Sequence, residues 1–310
     1  MLLMRLGPAG HERDVACVSD PLNDTDDLKY VELPDALMDT DLPLFGDERS
    51  RELRDLVRTG VRLGRARRLD GERIGAPIKR PHQILCVGLN YYDHANETAQ
   101  DVPAEPLIFN KAPNTLVGPR DAVVYPRGAT KLDYEVELGV VIGRRCSYLA
   151  SSEDAHRVIA GFVVVNDISE RAFQMERGGQ WVKGKSSPTF NPCGPFLVTP
   201  EEIEDPQALN IWLRVNGETR QSAQTSSMIH GIFDIVRYVS QFMVLEPGDL
   251  INTGTPAGVG MGRDPEEYLK IGDVLELGID GLGSQRQEVV AEPSQALPSS
   301  TPGDSPQRPR

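Results

Sequence analysis

Residues 133–142 read DYEVELGVVI, a run of β-branched and apolar residues that contains two glutamates. This composition predicts a β-strand, and because side chains alternate across a strand, Glu135 and Glu137 point to the same face. The apolar residues 140–142 leave neither face polar, so we expect the strand to be buried. Two buried carboxylates on one face repel each other unless a proton or a cation lies between them.

A second apolar run, residues 161–167 (GFVVVND), ends in a third carboxylate, Asp167. Three carboxylates without a neighbouring Cys or His ligand are typical of a hard-cation site for Mg²⁺ or Mn²⁺. Alternatively, Glu135 and Glu137 form the solvent face of a half-exposed strand, and Asp167 is a turn or helix N-cap residue. We favour the metal site because the strand is apolar on both faces beyond the glutamates.

Composition restricts the classes of function. The net charge of −13 in 310 residues opposes binding to nucleic acid or to anionic lipid, and we expect neither partner. No apolar run approaches the roughly 20 residues of a membrane span. The N-terminus does not resemble a signal peptide, and the four cysteines lie far apart. We therefore expect reduced thiols and a cytoplasmic protein. A small anionic substrate remains compatible, because a bound cation dominates the field inside a pocket.

The chain divides into three predicted segments. Residues 1–78 are acidic and turn-rich, with a predicted helix at 49–68, and we interpret them as a small N-terminal α/β domain. Residues 79–291 alternate short strands with Gly/Pro turns, which predicts a mixed β or α+β fold of the sandwich or roll type. Predicted strands are 84–88, 107–110, 122–124, 134–142, 161–166, 196–198, 210–215, 249–252 and 274–279, and predicted helices are 152–159 and 230–241. Residues 292–310 are rich in Pro, Ser and Gln and are predicted to be disordered.

A polar segment, residues 88–97 (GLNYYDHANE), follows the first of these strands. His94 and Glu97 are three residues apart, so one helical turn would place them side by side. A carboxylate beside an imidazole fixes its tautomer and raises its basicity, which suits a base that activates water. The alternative is a surface loop with an incidental histidine.

Two later loops contain groups that bind anions. In residues 180–195 (QWVKGKSSPTFNPCGP), Lys185 could reach an anionic oxygen, although isolated lysines are usually solvated. Residues 252–262 (NTGTPAGVGMG) expose backbone N–H groups and hydroxyls that suit a carboxylate. This loop does not match GxGxxG, the P-loop or GxSxG, so dinucleotide, nucleotide and serine-hydrolase functions are not supported.

Taken in order from about residue 83 to 287, these stretches resemble the fumarylacetoacetate hydrolase family. The resemblance is carried by GLNYYDHANE, DYEVELGVVIG, VVNDISERAFQ, GKSSPTFNPCGP, NTGTPAGVG and LKIGDVLELGIDGLG. It implies the family's mixed β-roll, usually a homodimer, and a divalent metal, Mg²⁺ or Mn²⁺, for which Ca²⁺ can substitute in crystals. The implied metal ligands are Glu135, Glu137 and Asp167.

The resemblance also implies the roles of the remaining site residues. His94 and Glu97 map to the lid pair that activates water, and Lys185 to the family lysine. Arg171, Gln174 and Thr255 map to residues that line the substrate pocket. The stretches ERAFQ, QW and GKS look most like a branch that includes hydrolases of 2,4-diketo-3-deoxy sugar acids.

The implied reaction is hydrolysis of a C–C bond in a 2,4-dioxo acid to pyruvate and a carboxylic acid. Decarboxylation, isomerisation and ureidoglycolate-type lyase chemistry are alternatives, because the same metal site suits them. A non-catalytic, metal-stabilised accessory protein is a further alternative. It is favoured only by Pro188, which stands where many relatives carry Asp; Asn191 also stands where Gly or Cys is usual.

Overall fold

The computed structural model describes residues 1–19, 28–34, 47–98 and 101–293. The predicted disordered tail from residue 294 onward lies outside these ranges, as does part of the acidic N-terminal segment. Across the described ranges, two large sheets supply most of the buried apolar residues, accompanied by six α-helices. None of the helices described is both long and apolar enough to span a membrane.

The larger sheet contains ten strands, and only one neighbouring pair, β17 with β5, runs parallel. In spatial order the strands are β4 (Arg67–Arg68), β3 (Lys29–Glu32), β2 (Arg13–Cys17), β1 (Leu2–Leu6), β14 (Leu197–Val198), β11 (Ile159–Asn166), β10 (Val136–Ile142), β17 (Leu250–Asn252), β5 (Ile84–Gly88) and β6 (Leu107–Lys111). β1 pairs with β14, so the N-terminal strands extend the same sheet as the later ones. The predicted domain boundary near residue 78 stays a prediction.

A second sheet packs against the first. Its five strands, in spatial order, are β16 (Glu218–Gln224), β15 (Asn210–Val215), β18 (Val274–Ile279), β19 (Gly283–Ala291) and β8 (Val123–Tyr125). Two small pairs, β9 (Leu132–Asp133) with β12 (Ser169–Glu170) and β7 (Leu116–Val117) with β13 (Asn191–Pro192), complete the strands. Leu138 and Val164 of the first sheet share one apolar cluster with Leu213 and Leu277 of the second. The prediction of a mixed, sheet-rich α+β fold is confirmed.

The helices are short. They are α1 (Asp47–Arg62), α2 (Tyr92–Glu97), α3 (Ser152–His156), α4 (Arg171–Met175), α5 (Val182–Lys185) and α6 (Ile232–Val239). The predicted helix 49–68 ends at Arg62 because Gly64 adopts a φ of +68°. Residues 67 and 68 pair with β3 instead. The predicted helix 152–159 ends at His156, since Ile159 already belongs to β11.

The centre of the larger sheet brings four chain segments to one edge. β10 and β11 are buried along their whole lengths and run antiparallel, so the start of β10 lies beside the end of β11. β17 is antiparallel to β10 on its other side, and β5 is parallel to β17. The ends of β17 and β5 therefore lie at the same edge, and the loops that follow them meet there.

Candidate metal centre

Three carboxylates converge at this edge. One oxygen from each of Glu135, Glu137 and Asp167 lies within 4.8 Å of the others, and all three side chains are at most 4% exposed. The strand pairing explains the convergence, because the Asp167 N–H donates to the Glu135 carbonyl at 2.8 Å immediately beyond the last β10–β11 pair. Glu135 directly precedes β10, and its carboxylate lies on the same side as that of Glu137, as the period of two predicts.

Buried cations surround two of the three carboxylates. Lys185 Nζ lies 2.6 Å from Glu135 Oε2 and 3.1 Å from Asp167 Oδ2. Arg171 Nη2 lies 2.6 Å from Glu135 Oε1. Lys111 pairs with the other oxygen of Asp167 and also donates to the Ile168 carbonyl at 3.0 Å. Each of these cations therefore balances a carboxylate that water does not reach.

The pKa values of Glu135 and Glu137 are shifted in opposite directions. Burial opposes ionisation of Glu135, but Lys185 and Arg171 outweigh it and lower its pKa to about 2. Burial and the like charges of Asp167 and Glu135 raise the pKa of Glu137 well above its usual value. Glu137 Oε2 accepts a hydrogen bond from the Gly254 N–H at 2.8 Å. An ionised Glu137 therefore lies beside two other carboxylates with no cation paired to it among the described residues, and a bound cation would favour its ionisation.

The charges of this cluster fit a divalent cation. Asp133, which is fully buried, pairs with Arg171 at 2.8 Å and brings the buried carboxylates to four, against three buried cations. No described ion pair reaches Glu137. An oxygen-only ligand set with an uncompensated carboxylate is the kind of site that Mg²⁺ or Mn²⁺ prefers. Glu135, Glu137 and Asp167 could therefore hold such an ion.

His94 and Glu97 lie side by side on α2, with His94 Nδ1 2.8 Å from Glu97 Oε1. The second oxygen of Glu97 accepts the Gly258 N–H at 2.8 Å. Gly262 allows this contact, because a Cβ there would lie 2.5 Å from the carboxylate carbon of Glu97. The Gly-rich loop after β17 thereby holds the carboxylate that orients His94.

Arg171 and Gln174 project from α4 toward the same place. Besides Asp133 and Glu135, the Arg171 guanidinium donates to Gln174 Oε1 at 3.1 Å. Desolvation opposes the charge on Arg171, but the two carboxylates outweigh it and raise its pKa. Arg171 therefore orients Glu135 and the amide of Gln174, and the NH₂ group of Gln174 remains for another acceptor.

Thr255 lies at the start of the Gly-rich loop. Its hydroxyl donates to the Val136 carbonyl at 2.9 Å and accepts from Gln221 Nε2 at 2.8 Å. The first bond attaches the loop to Val136, the first residue of β10, and the second attaches it to Gln221 of β16. The side chain is buried and borders the cavity beside the glutamates.

All nine predicted site residues except Glu97 and Asp167 border one cavity, and those two contact residues that do. The volume of this cavity is about 30 Å³, which is room for a cation and water. The lining residues are Val87, Gly88, Leu89, His94, Phe109, Glu135, Glu137, Arg171, Gln174, Met175, Trp181, Lys185, Thr255 and Met261.

Sequence reasoning missed two buried charged residues of the carboxylate cluster, Lys111 and Asp133. Lys111 directly follows the predicted strand 107–110 and ends the observed β6, where a cation beside an otherwise apolar strand was the only signal. Asp133 begins the stretch 133–142, but no local sequence pattern predicts its ion pair with Arg171, which is 38 residues away. Its oxygens also accept the N–H groups of Gly260 and Met261 at 2.7 and 3.1 Å. Asp133 thus connects Arg171 to the Gly-rich loop.

The two residues that differ from the family pattern lie in different surroundings. Pro188 is exposed and borders an outer hollow with Phe173 and Arg127, away from the glutamates. Asn191 is buried, and its side-chain oxygen accepts from Asn252 Nδ2 at 2.9 Å. Neither side chain borders the cavity that Glu135 and Glu137 line.

Comparison with known proteins gives consistent relatives. The family model described as fumarylacetoacetate (FAA) hydrolase C-terminal matches residues 83–290. A 2,4-didehydro-3-deoxy-L-rhamnonate hydrolase from Sphingomonas sp. (strain SKA58) is 51% identical over 71% of this chain and 78% of its own.

Solved structures agree with this match. A fumarylacetoacetate hydrolase from psychrophilic Exiguobacterium antarcticum superposes with a TM-score of 0.78 at 33% identity, covering 94% of this chain and 100% of its own. A 2-hydroxyhepta-2,4-diene-1,7-dioate isomerase from Mycobacterium marinum superposes with a TM-score of 0.75 at 33% identity, covering 94% of this chain and 99% of its own.

Proposed function

This chain belongs to the fumarylacetoacetate hydrolase family, and we propose that it is a divalent-metal-dependent hydrolase of a 2,4-dioxo acid. It would cleave the C3–C4 bond and release pyruvate and a carboxylic acid. The observation that carries the proposal is the buried triad Glu135, Glu137 and Asp167 in the same small cavity as the paired His94 and Glu97. The rhamnonate hydrolase at 51% identity supports a dioxo sugar acid as substrate.

Mg²⁺ or Mn²⁺ held by the triad would supply Lewis-acid stabilisation of negative charge at the substrate's 1-carboxylate and 2-oxo oxygens. The remaining catalytic work belongs to the chain's own side chains. The Glu97 carboxylate accepts a hydrogen bond from the His94 Nδ1–H, and this tautomer leaves Nε2 unprotonated and able to take a proton from water. The bond from Gly258 keeps Glu97 in that position.

The water oxygen adds to C4 as His94 Nε2 takes its proton. The C3–C4 bond then breaks and its electron pair goes to C3. The proton that His94 took from water is returned to C3, which completes pyruvate, and the second water proton remains with the carboxylic acid. Lys185 has three N–H donors and commits two of them to Glu135 and Asp167. The third is therefore available for the C4 oxygen, which becomes negatively charged when water adds. The NH₂ group of Gln174 supplies a second donor.

An isomerase is the second candidate, because the Mycobacterium marinum isomerase shares this fold over nearly its whole length. Isomerisation, decarboxylation and lyase chemistry need no attacking water, whereas the His94–Glu97 pair is arranged as a water-activating base. We therefore favour hydrolysis. A metal-bound protein without turnover on any dioxo acid would instead support the accessory-protein alternative.

The test is a panel of 2,4-dioxo acids with Mg²⁺ or Mn²⁺ in ¹⁸O-labelled water. Hydrolysis predicts pyruvate release with one labelled oxygen in the carboxylic acid, whereas an isomer or CO₂ would indicate another reaction. Glu135→Gln should abolish both turnover and Mn²⁺ binding measured by calorimetry. Glu218→Gln, an exposed glutamate on β16, is the matched control. Full activity in the presence of excess chelator would refute the metal dependence.

A further inference from the structure

The catalytic cavity has a charged interior and an apolar mouth. Its ionisable lining residues are all at most 5% exposed, namely His94, Glu135, Glu137, Arg171 and Lys185. The more accessible lining residues are Met175, which is 45% exposed, and the half-buried Phe109, Trp181 and Met261. A ligand held at the charged end would therefore direct its far end toward sulfur and aromatic surface.

Trp181 lines this mouth, and neighbouring residues hold its side chain in place. It precedes α5, and because Trp181 and Lys185 are four residues apart, both face the cavity. The indole packs edge-on against Phe109 with ring centroids 5.2 Å apart. Gly88 makes room for it, since a Cβ there would lie 2.7 Å from the indole Cζ3. The ring is thus held from two sides.

Among the described residues that line the mouth, no cation is free to pair with an anion. Of the lining residues that the structure describes, the only Arg and Lys are Arg171 and Lys185, and both are bonded to interior carboxylates. Glu176 follows Met175 directly, and with Glu266 it pairs with Lys131 at 3.0 and 3.7 Å. A second carboxylate placed here would lose hydration without gaining a partner.

We propose that Trp181, with Met175 and Met261, forms the subsite for the substrate chain beyond C4, and that this subsite accepts a short neutral chain and rejects one ending in a second carboxylate. The orientation of the chain rests on the proposed function, in which the 1-carboxylate and 2-oxo group occupy the charged interior. Trp181 is then a residue that determines the substrate specificity of this chain.

The test compares two ligands of equal length that the enzyme cannot cleave, 2-oxopentanoate and 2-oxoglutarate. Their binding to the protein in saturating Mg²⁺ is measured by calorimetry. We expect 2-oxopentanoate to bind at least about tenfold more tightly, because only its methyl end is compatible with an apolar mouth. Equal affinity, tighter binding of 2-oxoglutarate, or no binding of either ligand would overturn the proposal.

Variants of Trp181 test whether the indole causes the preference for 2-oxopentanoate over 2-oxoglutarate. Trp181→Ala should weaken 2-oxopentanoate binding about tenfold and change 2-oxoglutarate binding less than about threefold, while Trp181→Phe retains the preference. Trp181→Arg should reverse it by supplying a cation. Trp212→Phe, the other tryptophan of the chain, is the control. An unchanged preference in Trp181→Ala and Trp181→Arg would refute the role of Trp181.

The two proposals can fail separately. If no dioxo acid yields pyruvate but the ligand preference and its dependence on Trp181 persist, the hydrolysis proposal is wrong and the subsite stands. If pyruvate is released but 2-oxoglutarate binds as tightly as 2-oxopentanoate, the subsite proposal is wrong and the hydrolysis stands.

Discussion

Lys111→Met would remove one of the three cations that face the buried carboxylates. The ammonium is buried completely, pairs with Asp167 and donates to the Ile168 carbonyl. Burial lowers the pKa of Lys111, an effect that Asp167 opposes. Met has a similar length and no charge, so the substitution changes the electrostatics more than the packing. It leaves four buried carboxylates facing two cations.

The magnitude follows from the remaining contacts. Removing one partner of a buried ion pair costs about 3–5 kcal/mol, because the other charge is left buried and uncompensated. Asp167 keeps Lys185 at 3.1 Å, so we expect the lower end, a loss of about 3 kcal/mol in unfolding free energy with chelator present. A bound divalent cation replaces the missing charge. The difference in unfolding free energy between the unsubstituted protein and the variant should therefore narrow by about 1.4 kcal/mol for each tenfold by which the variant binds the metal more tightly.

Urea unfolding followed by circular dichroism, with chelator and with saturating Mn²⁺, measures this difference in unfolding free energy. Calorimetry measures the Mn²⁺ affinities of the unsubstituted protein and of the variant. Lys131→Met is the matched control, since Lys131 forms only exposed ion pairs and should change stability little. A loss below about 1 kcal/mol in chelator would show that Lys111 does not balance Asp167. Weaker Mn²⁺ binding by the variant would refute the electrostatic argument for rescue.

His94→Ala should lower kcat about 10²–10⁴-fold with little change in substrate affinity, as steady-state kinetics would show, whereas a change below tenfold would exclude His94 as the base. Gly262→Ala should displace Glu97, with which the new Cβ would collide, and lower kcat at unchanged Mn²⁺ affinity; unchanged kcat would show that this contact does not position the pair. Pro188→Asp should alter kcat/KM less than about threefold, since Pro188 is exposed outside the cavity, and a larger change would assign it a substrate role. Burial and neighbouring carboxylates raise the pKa of Cys146 to about 11, so its alkylation rate, followed by peptide mass spectrometry, should rise with pH through neutrality up to about 11, and a plateau near pH 8 would contradict this.

The fold was predictable where hydrophobic patterning was strong. The predicted strands 84–88, 210–215 and 274–279 have the observed bounds, because apolar residues and turn signals delimit them. The strands β16 (ETRQSAQ) and β19 (GSQRQEVVA) were missed because their exposed faces are polar and their sequences show little apolar content. Their strand structure depends on pairing with neighbours, which a local pattern does not contain.

Helix ends were predicted less well. The helix predicted through residue 68 stops at Arg62, because Gly64 takes a left-handed conformation and the following residues find a strand partner in β3. Local periodicity does not weigh this partner against helix continuation, since the pairing strand lies more than thirty residues earlier in the chain. Tertiary pairing therefore decided the boundary.

The sequence by itself determined the local parts of the candidate site. A side-chain period of two places Glu135 and Glu137 on one strand face, and a spacing of three places His94 beside Glu97. These relations hold for any strand or helical turn with these residues, so they need no knowledge of the surrounding fold.

Only the tertiary structure decided which charges oppose one another. It brought Lys111 to Asp167 across 56 residues and Arg171 to Glu135 across 36. It also left Glu137 without an ion-pair partner among the described residues and placed Trp181 at the cavity mouth. Such contacts join distant segments at a common sheet edge, and burial there makes each charge expensive to leave unbalanced. The balance of charge that makes this place a candidate metal site is therefore a property of the fold.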